Sequence, residues 1–353
     1  MKPALLIKSV RNLKNAIAIN INRARGREFI PKAVHSLGIE TSSLCNLECR
    51  FCAYVKKTSP KVVMSDAFFR DCVAQALDMG YRHFDLTPCT GDVFMDRGVF
   101  NKLEHMENTA GVKGYSFFTN FTIPKSKDIK RLFDLRKLTD LAISIYGYDA
   151  KTFVEITQST EKVYRRLVYN LETFLGENER RKFSCQFSLH PGVASLRGRT
   201  SEITRLIERL RKARITVKIS KGVYNNWGGY VTNDDVRGLP IDIVGPNLIY
   251  KNGACVRLFT TVQVMATGIV NGCACRDVDA TLRLGDLKET PLRDLISSRN
   301  PNYMALIEQQ QEGQFQPICQ SCDMYASIYH KSSGYERNGV ELESLDAFKK
   351  RIA

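Results

Sequence analysis

The sequence lacks any long uncharged apolar run. No stretch approaches the roughly 18 residues that a membrane-spanning helix needs, and 25% of the residues are charged. The opening "MKPALLIKSVRNLKNAIAIN" also lacks the pattern of a secretory signal, because Lys8, Arg11 and Lys14 interrupt its apolar residues and no small-residue cleavage site follows. Repeats and low-complexity tracts are absent, and tryptophan occurs once, at Trp227. These absences predict a cytoplasmic globular protein, with a 43% hydrophobic content to match. Acid is also in short supply, with 37 Asp and Glu against 52 Lys and Arg for a net charge of +15. The basic excess is spread along the chain, with local concentrations at 8–27, 125–137 and 205–221. It reads as a solvated basic surface, with nucleic-acid binding the less favoured alternative.

Cysteine is plentiful. In a reducing compartment, clustered cysteines bind metal or do chemistry more often than they form disulfides. Eight of the eleven fall in three groups, 45/49/52, 255/273/275 and 319/322, while Cys72, Cys89 and Cys185 stand apart. Such clustering favours metal.

From residue 37 to 223 short apolar runs alternate with amphipathic ones. Strands are expected at 37–41, 83–88, 114–120, 140–147, 183–190 and 215–220, with helices at 65–79, 98–109, 125–136, 161–176 and 200–213. The second run starts at a Ser65 cap and stops at Gly80. Six strands separated by crossover-length helices predict a parallel β/α sheet, whose ligands sit at the carboxyl ends of the strands. After Trp227 the texture changes. Residues 225–247 are rich in Gly, Asn and Asp and read as linker. Residues 255–275 look like a hairpin, helical patterns lie near 291–312, and the last twenty residues predict a helix that packs on the body.

"TSSLCNLECRFCAY" (41–54) follows the first strand and sets Cys45, Cys49 and Cys52 on a short loop. Three thiolates can hold three irons of a four-iron cluster and leave the fourth open to polarise a ligand. Structural zinc is the competing reading, but it favours paired C-x2-C units and closes all four positions. Neither Cys72, on a predicted helix, nor His83, starting a strand, supplies a close fourth ligand.

"CNLECRFC" resembles the CX3CXΦC signature of the radical S-adenosylmethionine (SAM) enzymes, with Phe51 as the aromatic position. The resemblance covers about residues 37–225. It implies a partial (β/α)6 barrel, a 4Fe–4S cluster on the three cysteines, and SAM chelating the open iron. It further implies reductive cleavage of SAM to a 5′-deoxyadenosyl radical that abstracts hydrogen from substrate, with an electron donor such as flavodoxin or ferredoxin. "CTGD" (89–92) falls where the family has Gly-Gly-Glu, so Thr90, Gly91 and Asp92 are implied contacts to the SAM amino group. "FTN" (118–120) resembles Thr-Asn-Gly, with Phe121 in place of glycine. "SIYG" (144–147) resembles Ser-Ile-Asp-Gly. Thr119, Asn120, Ser144 and Tyr54 are the further implied SAM contacts.

Cys255, Cys273, Cys319 and Cys322 could close a zinc site or fully ligate a cluster, and spacing does not separate these. "C…GIVNGC", with Gly268 five positions before Cys273, resembles the CX9–15GX4C element of the SPASM/twitch extension. It implies a second, auxiliary 4Fe–4S cluster in the short twitch form. Cys275 is left over, as a spare ligand or, by default, a buried thiol without a role. Cys89, Cys185 and Cys275 are the candidate hydrogen-atom donors, since radical SAM epimerases use such thiols. Ordinary core cysteine is the commoner explanation for Cys89 and Cys185.

Three features remain. Residues 5–24 form a basic amphipathic pattern, suited to a membrane surface or to covering the barrel's open end. Trp227 sits at the expected active-site rim, to touch ligand or pack the domain junction. His190 ends the fifth expected strand and is read as a satisfied structural histidine. The expected organisation is an α/β chain: an N-terminal basic extension (1–36), a partial (β/α)6 barrel (37–235), a small cysteine-rich α+β auxiliary-cluster domain (236–330) and a tail helix (331–353). The expected activity is oxidation or epimerisation of a small, carbohydrate-like molecule. A peptide maturase is the alternative, disfavoured because only about 36 residues precede the barrel. The rival from another class is a zinc-containing nucleic-acid-binding protein.

Overall fold

The computed structural model describes residues 3–32, 36–180, 185–193, 195–220, 222–245 and 249–353. Six parallel strands, β2 (Ser36–Ile39), β3 (His83–Asp85), β4 (Gly114–Thr119), β5 (Leu138–Tyr146), β6 (Cys185–His190) and β7 (Thr216–Ile219), lie side by side in chain order. Each matches an expected strand; residues 183 and 184 of the fifth lie outside the described residues. Leu141, Ile143 and Ile145 of β5 and Phe187 and Leu189 of β6 are all buried, as in sheets covered on both faces.

The helices α2 (Asp66–Asp78), α3 (Val99–Asn108), α4 (Ser126–Leu132), α6 (Glu161–Arg180) and α7 (Glu202–Lys212) fill the crossovers. Ser65 caps α2 by accepting from the amide of Phe68 at 3.2 Å, and Phe69, Cys72, Val73 and Ala76 form its buried face. One helix among the crossovers had not been anticipated, α5 (Ala150–Thr157), capped by Asp149. It starts only four residues after β5 ends. That turn passes through Gly147, at φ 71°, where a Cβ would stand 2.3 Å from the backbone nitrogen of Phe153.

The auxiliary segment does not form a separate sheet. β10 (Gln263–Val264) pairs in parallel with β2, and β11 (Ile269–Asn271) and β12 (Arg283–Asp286) follow antiparallel, giving one nine-stranded sheet. The expected hairpin is present as β10–β11, and its attachment to β2 sets the second cysteine group beside the first strand. Glu40 fastens this seam: its buried carboxylate accepts from the amides of Cys89 and Ala266, at 3.2 and 3.1 Å.

Residues 225–247 are more than linker. β8 (Val223–Tyr224) pairs with β9 (Asp242–Ile243), Val231, Val236 and Ile241 are buried, and Arg50 donates to the carbonyls of Asp235 and Arg237. This stretch braces the first cysteine loop. The N-terminal helix α1 (Pro3–Ala24) leads into β1 (Ile30–Pro31), which pairs with β13 (Leu342–Glu343). α8 (Arg257–Thr260) precedes the hairpin, and beyond β12 lie α9 (Leu292–Leu295), α10 (Pro301–Gln311), α11 (Pro317–Ser321) and α12 (Ser333–Arg337). The closing α13 (Leu345–Arg351) buries Phe348 against Phe259 and Tyr303. Among the described residues no helix is long and apolar enough to cross a membrane.

Candidate active site

The loop after β2 is fixed from two sides. The amides of Glu48 and Arg50 donate to the carbonyls of Thr157 and Ile156 at the end of α5, at 3.0 and 2.9 Å. The Tyr54 hydroxyl reaches back to the opening residue, accepting from the Cys45 amide at 3.0 Å. Cys45 and Cys52 are half-buried and Cys49 is buried. Three N–H groups point at their sulfurs: Leu47 and Asn120 toward Cys45, at 3.5 and 3.8 Å, and Tyr54 toward Cys52, at 3.5 Å. Donors of this kind stabilise metal-bound thiolates. Burial pushes the Cys45 thiol up to about 12 and Cys52 to about 11, and burial with repulsion from both neighbours raises Cys49 well above the ordinary range. Thiols so placed ionise only when a cation replaces their protons. The donor set therefore suits a metal cation.

The cavity over this loop, about 550 Å³, is lined by Cys45, Cys49, Cys52, Tyr54, Thr90, Gly91, Asp92, Thr119, Asn120 and Ser144. Every position named as a SAM contact on motif grounds thus meets in one place, at the carboxyl ends of β2 to β5. Gly91, at φ 145°, lets the "CTGD" turn lie against the cysteine loop; a Cβ there would stand 2.8 Å from the Ser42 carbonyl oxygen. The amide of Asp92 donates to the Leu44 carbonyl at 2.7 Å. The Asp92 carboxylate is held by the Thr119 hydroxyl and the amides of Asn120 and Phe94. Burial outweighs these donors and raises its pKa to about 6. Thr90 Oγ1 is buried without a hydrogen-bond partner, an unspent polar atom suited to a ligand.

Phe121, standing where the family has glycine, adopts φ 58°. The left-handed turn is kept without the residue that favours it. Full burial of the ring against Phe94 and Phe174, together with the Asn170 amide on its carbonyl at 2.9 Å, holds it there.

The auxiliary domain supplies the far wall through Arg257, Ala274, Cys275 and Arg276, joined by Trp227. The Arg276 guanidinium packs 5.0 Å over the Trp227 ring, and Trp227 Nε1 is buried without a partner. Trp227 therefore both lines the cavity and joins the two regions; neighbouring Asn226 donates to the Ser321 carbonyl at 2.8 Å.

Cys255, Cys273, Cys319 and Cys322 come together behind that wall. Each of these thiols is raised by burial, and repulsion from others of the group adds to it: Cys255 on Cys273, Cys319 and Cys322, and Cys322 on Cys273 and Cys319. Gln310 Nε2 points at Cys319 Sγ at 3.4 Å and the Met324 amide at Cys322 Sγ at 3.3 Å. Among the described residues, no three His, Cys, Asp or Glu side chains close around a single metal ion.

Cys275, read from the sequence as a spare ligand or a thiol without a role, is placed at the boundary between the two cysteine sets. It is an electrostatic neighbour of Cys255, Cys273 and Cys322 on one side and of Cys89 on the other, and it lines the cavity. Cys89 lines the cavity too. Cys185 does not. It starts β6, paired with Leu141, away from the carboxyl strand ends that line the cavity. His190 is not a satisfied histidine: its Nδ1 is buried without a partner. Its ring packs against Phe51, Tyr146 and Tyr224, and burial lowers its pKa to about 4. Arg276 and Tyr146 were missed as site residues, although adjacency to Cys275 and the place of Tyr146 in "SIYG" pointed to them.

Residues 255–323 match the SPASM family, described as an iron–sulfur cluster-binding domain. The fold is similar to BtrN in complex with AdoMet and 2-DOIA, at 12% identity and a TM-score of 0.55, over 86% of this chain and 99% of that one. It is also similar to Streptococcus suis SuiB bound to its precursor peptide SuiA, at 15% identity and a TM-score of 0.54, over 90% and 76% of the two chains. Native anSMEcpe with bound AdoMet gives 15% identity and a TM-score of 0.52, over 90% and 95%. No curated protein matches the sequence. Residues 255–323 thus match an iron–sulfur cluster-binding domain, and the fold is one shared with solved structures that hold AdoMet, in keeping with the resemblance of the first cysteine motif to the radical SAM signature.

Proposed function

We propose that this enzyme oxidises or epimerises a carbon of a small, carbohydrate-like substrate held in the 550 Å³ cavity. The observation that carries the reading is the position of Cys275 and Arg276, which face the SAM contacts while adjoining the second cysteine set. Bound here, cluster and SAM supply a carbon-centred radical that takes one hydrogen atom from the substrate. Cys45, Cys49 and Cys52 hold the first cluster, and Cys255, Cys273, Cys319 and Cys322 the second. Thr90 and Asp92 orient the SAM amino group, with Asp92 as the anion. Tyr54, Thr119, Asn120 and Ser144 complete that wall. In oxidation, a cluster held by the auxiliary set would accept the second substrate electron, and the hydroxyl proton would pass to water. In epimerisation, the Cys275 or Cys89 thiol would return a hydrogen atom to the opposite face, and the thiyl radical left behind would be restored by one electron from the external donor and one proton from water.

A peptide substrate is the second reading, favoured by the precursor peptide in SuiB and by the exposed ring of Phe118 on the cavity's edge. The test is anaerobic turnover with SAM and dithionite in deuterium oxide, with candidate sugars and peptides supplied in turn. A carbohydrate that raises 5′-deoxyadenosine formation supports the first reading, and deuterium at an inverted carbon selects epimerisation. Stimulation by peptides alone rejects it.

A further inference from the structure

Helix α1 has two faces, and the protein uses one of them. Ile19 is buried, Asn12 Oδ1 accepts from the Tyr250 amide at 2.9 Å, and Asn22 donates to the Tyr329 carbonyl at 3.0 Å. Arg23 donates to the Gln311 carbonyl at 2.6 Å. The helix is therefore fastened to the body along this side. On the other side Leu13, Ile17 and Ile21 are 65, 56 and 45% exposed. Their spacing of four stacks them in one stripe. Apolar side chains on a fastened helix gain nothing from water, and among the described residues nothing covers them.

The charge around the stripe is of one sign. Lys8, Arg11, Lys14, Arg25 and Arg27 belong to this stretch of the sequence, and no acidic residue occurs in it before Glu28. Lys14, Arg25 and Arg27 are exposed. A second copy of the same surface would bring cations against cations, whereas an anionic lipid surface supplies the opposite charge and an apolar layer for the stripe. Nucleic acid would meet the charges and leave the stripe in water.

We infer that α1 lies in the interface of an anionic phospholipid bilayer and docks the enzyme there through Leu13, Ile17 and Ile21. Its inner face, through Asn12, Asn15 and Ile19, walls a cavity of about 750 Å³ that shares Arg276 with the SAM cavity. Docking sets that side of the molecule beside the lipid headgroups. The inference is independent of the proposed reaction.

The test is co-sedimentation of the full-length, iron-loaded protein with vesicles of phosphatidylcholine, alone or with about 30% phosphatidylglycerol. Binding to the anionic vesicles is expected, at least about tenfold tighter than to neutral ones and weakened by salt. Leu13→Glu/Ile17→Glu should lower it by about tenfold or more with thermal midpoint and SAM cleavage unchanged. Lys8→Gln/Arg11→Gln/Lys14→Gln should lower it by a comparable factor. Absence of binding to anionic vesicles at low salt overturns the inference. So does undiminished binding by the Leu13/Ile17 variant, which leaves adsorption by charge alone, or a dimer that this variant dissociates, which gives the stripe to a second copy.

Discussion

The two cysteine sets differ in how the chain builds them. Cys45, Cys49 and Cys52 come from one loop at a strand end and face a cavity; Cys255, Cys273, Cys319 and Cys322 are gathered from segments up to 67 positions apart and sit behind its wall. A loop can offer three sulfurs to one face of a cluster and leave an iron free, which suits a centre that binds a cofactor. Sulfurs converging from several directions close a cluster off, which suits a centre that passes electrons. Burial raises the thiols in both sets, so both need a cationic cluster to ionise. What distinguishes them is access.

The sharpest way to break this contrast is to remove the first set. Replacing Cys45, Cys49 and Cys52 by alanine should abolish 5′-deoxyadenosine formation and remove about four irons per chain, leaving about four on the second set. Residual cleavage with dithionite would contradict the assignment. The reciprocal Cys319→Ala/Cys322→Ala variant should lose the other irons yet still cleave SAM, read by iron analysis beside the same assay.

A smaller effect is expected at the cavity wall. Asp92→Ala removes a charged acceptor and should weaken SAM binding by about 1.5–3 kcal/mol, roughly ten- to a hundredfold. Because the carboxyl titrates near 6 in the folded protein, the wild-type affinity should fall as the pH drops through about 6, when the anion is lost, and Asp92→Ala should flatten that dependence. Calorimetric titration of SAM across pH 5–8 checks both. A last variant sharpens the boundary between the sets: Cys275→Ser should keep its iron and its SAM affinity and, where Cys275 is the hydrogen donor of an epimerisation, lose inversion of the substrate carbon. Loss of iron would make Cys275 a ligand instead.

Most of the first set was legible in the sequence, because a strand, a turn and three cysteines within eight residues determine one another locally. The residues proposed to contact SAM stood out as strand-end motifs that the fold brings to one cavity, and Phe121 was visible as a departure whose backbone nevertheless turns as glycine would. The second set was legible as spacing only. The extension of the sheet from β2 through β10 depends on pairing residues more than two hundred positions apart, which no local pattern encodes. Cys275 follows from that pairing, since the path of the chain after β11 decides which way its thiol faces. α5 was missed for a different reason: its eight residues are too few for a clear period beside a long strand.

The account rests on an open iron in the first set. Electron paramagnetic resonance of the reduced, iron-loaded protein, with and without SAM, tests it most directly. The signal lost in the Cys45/Cys49/Cys52 variant should change when SAM is added, while the signal of the second set stays as it was. A first-set signal indifferent to SAM would contradict the account.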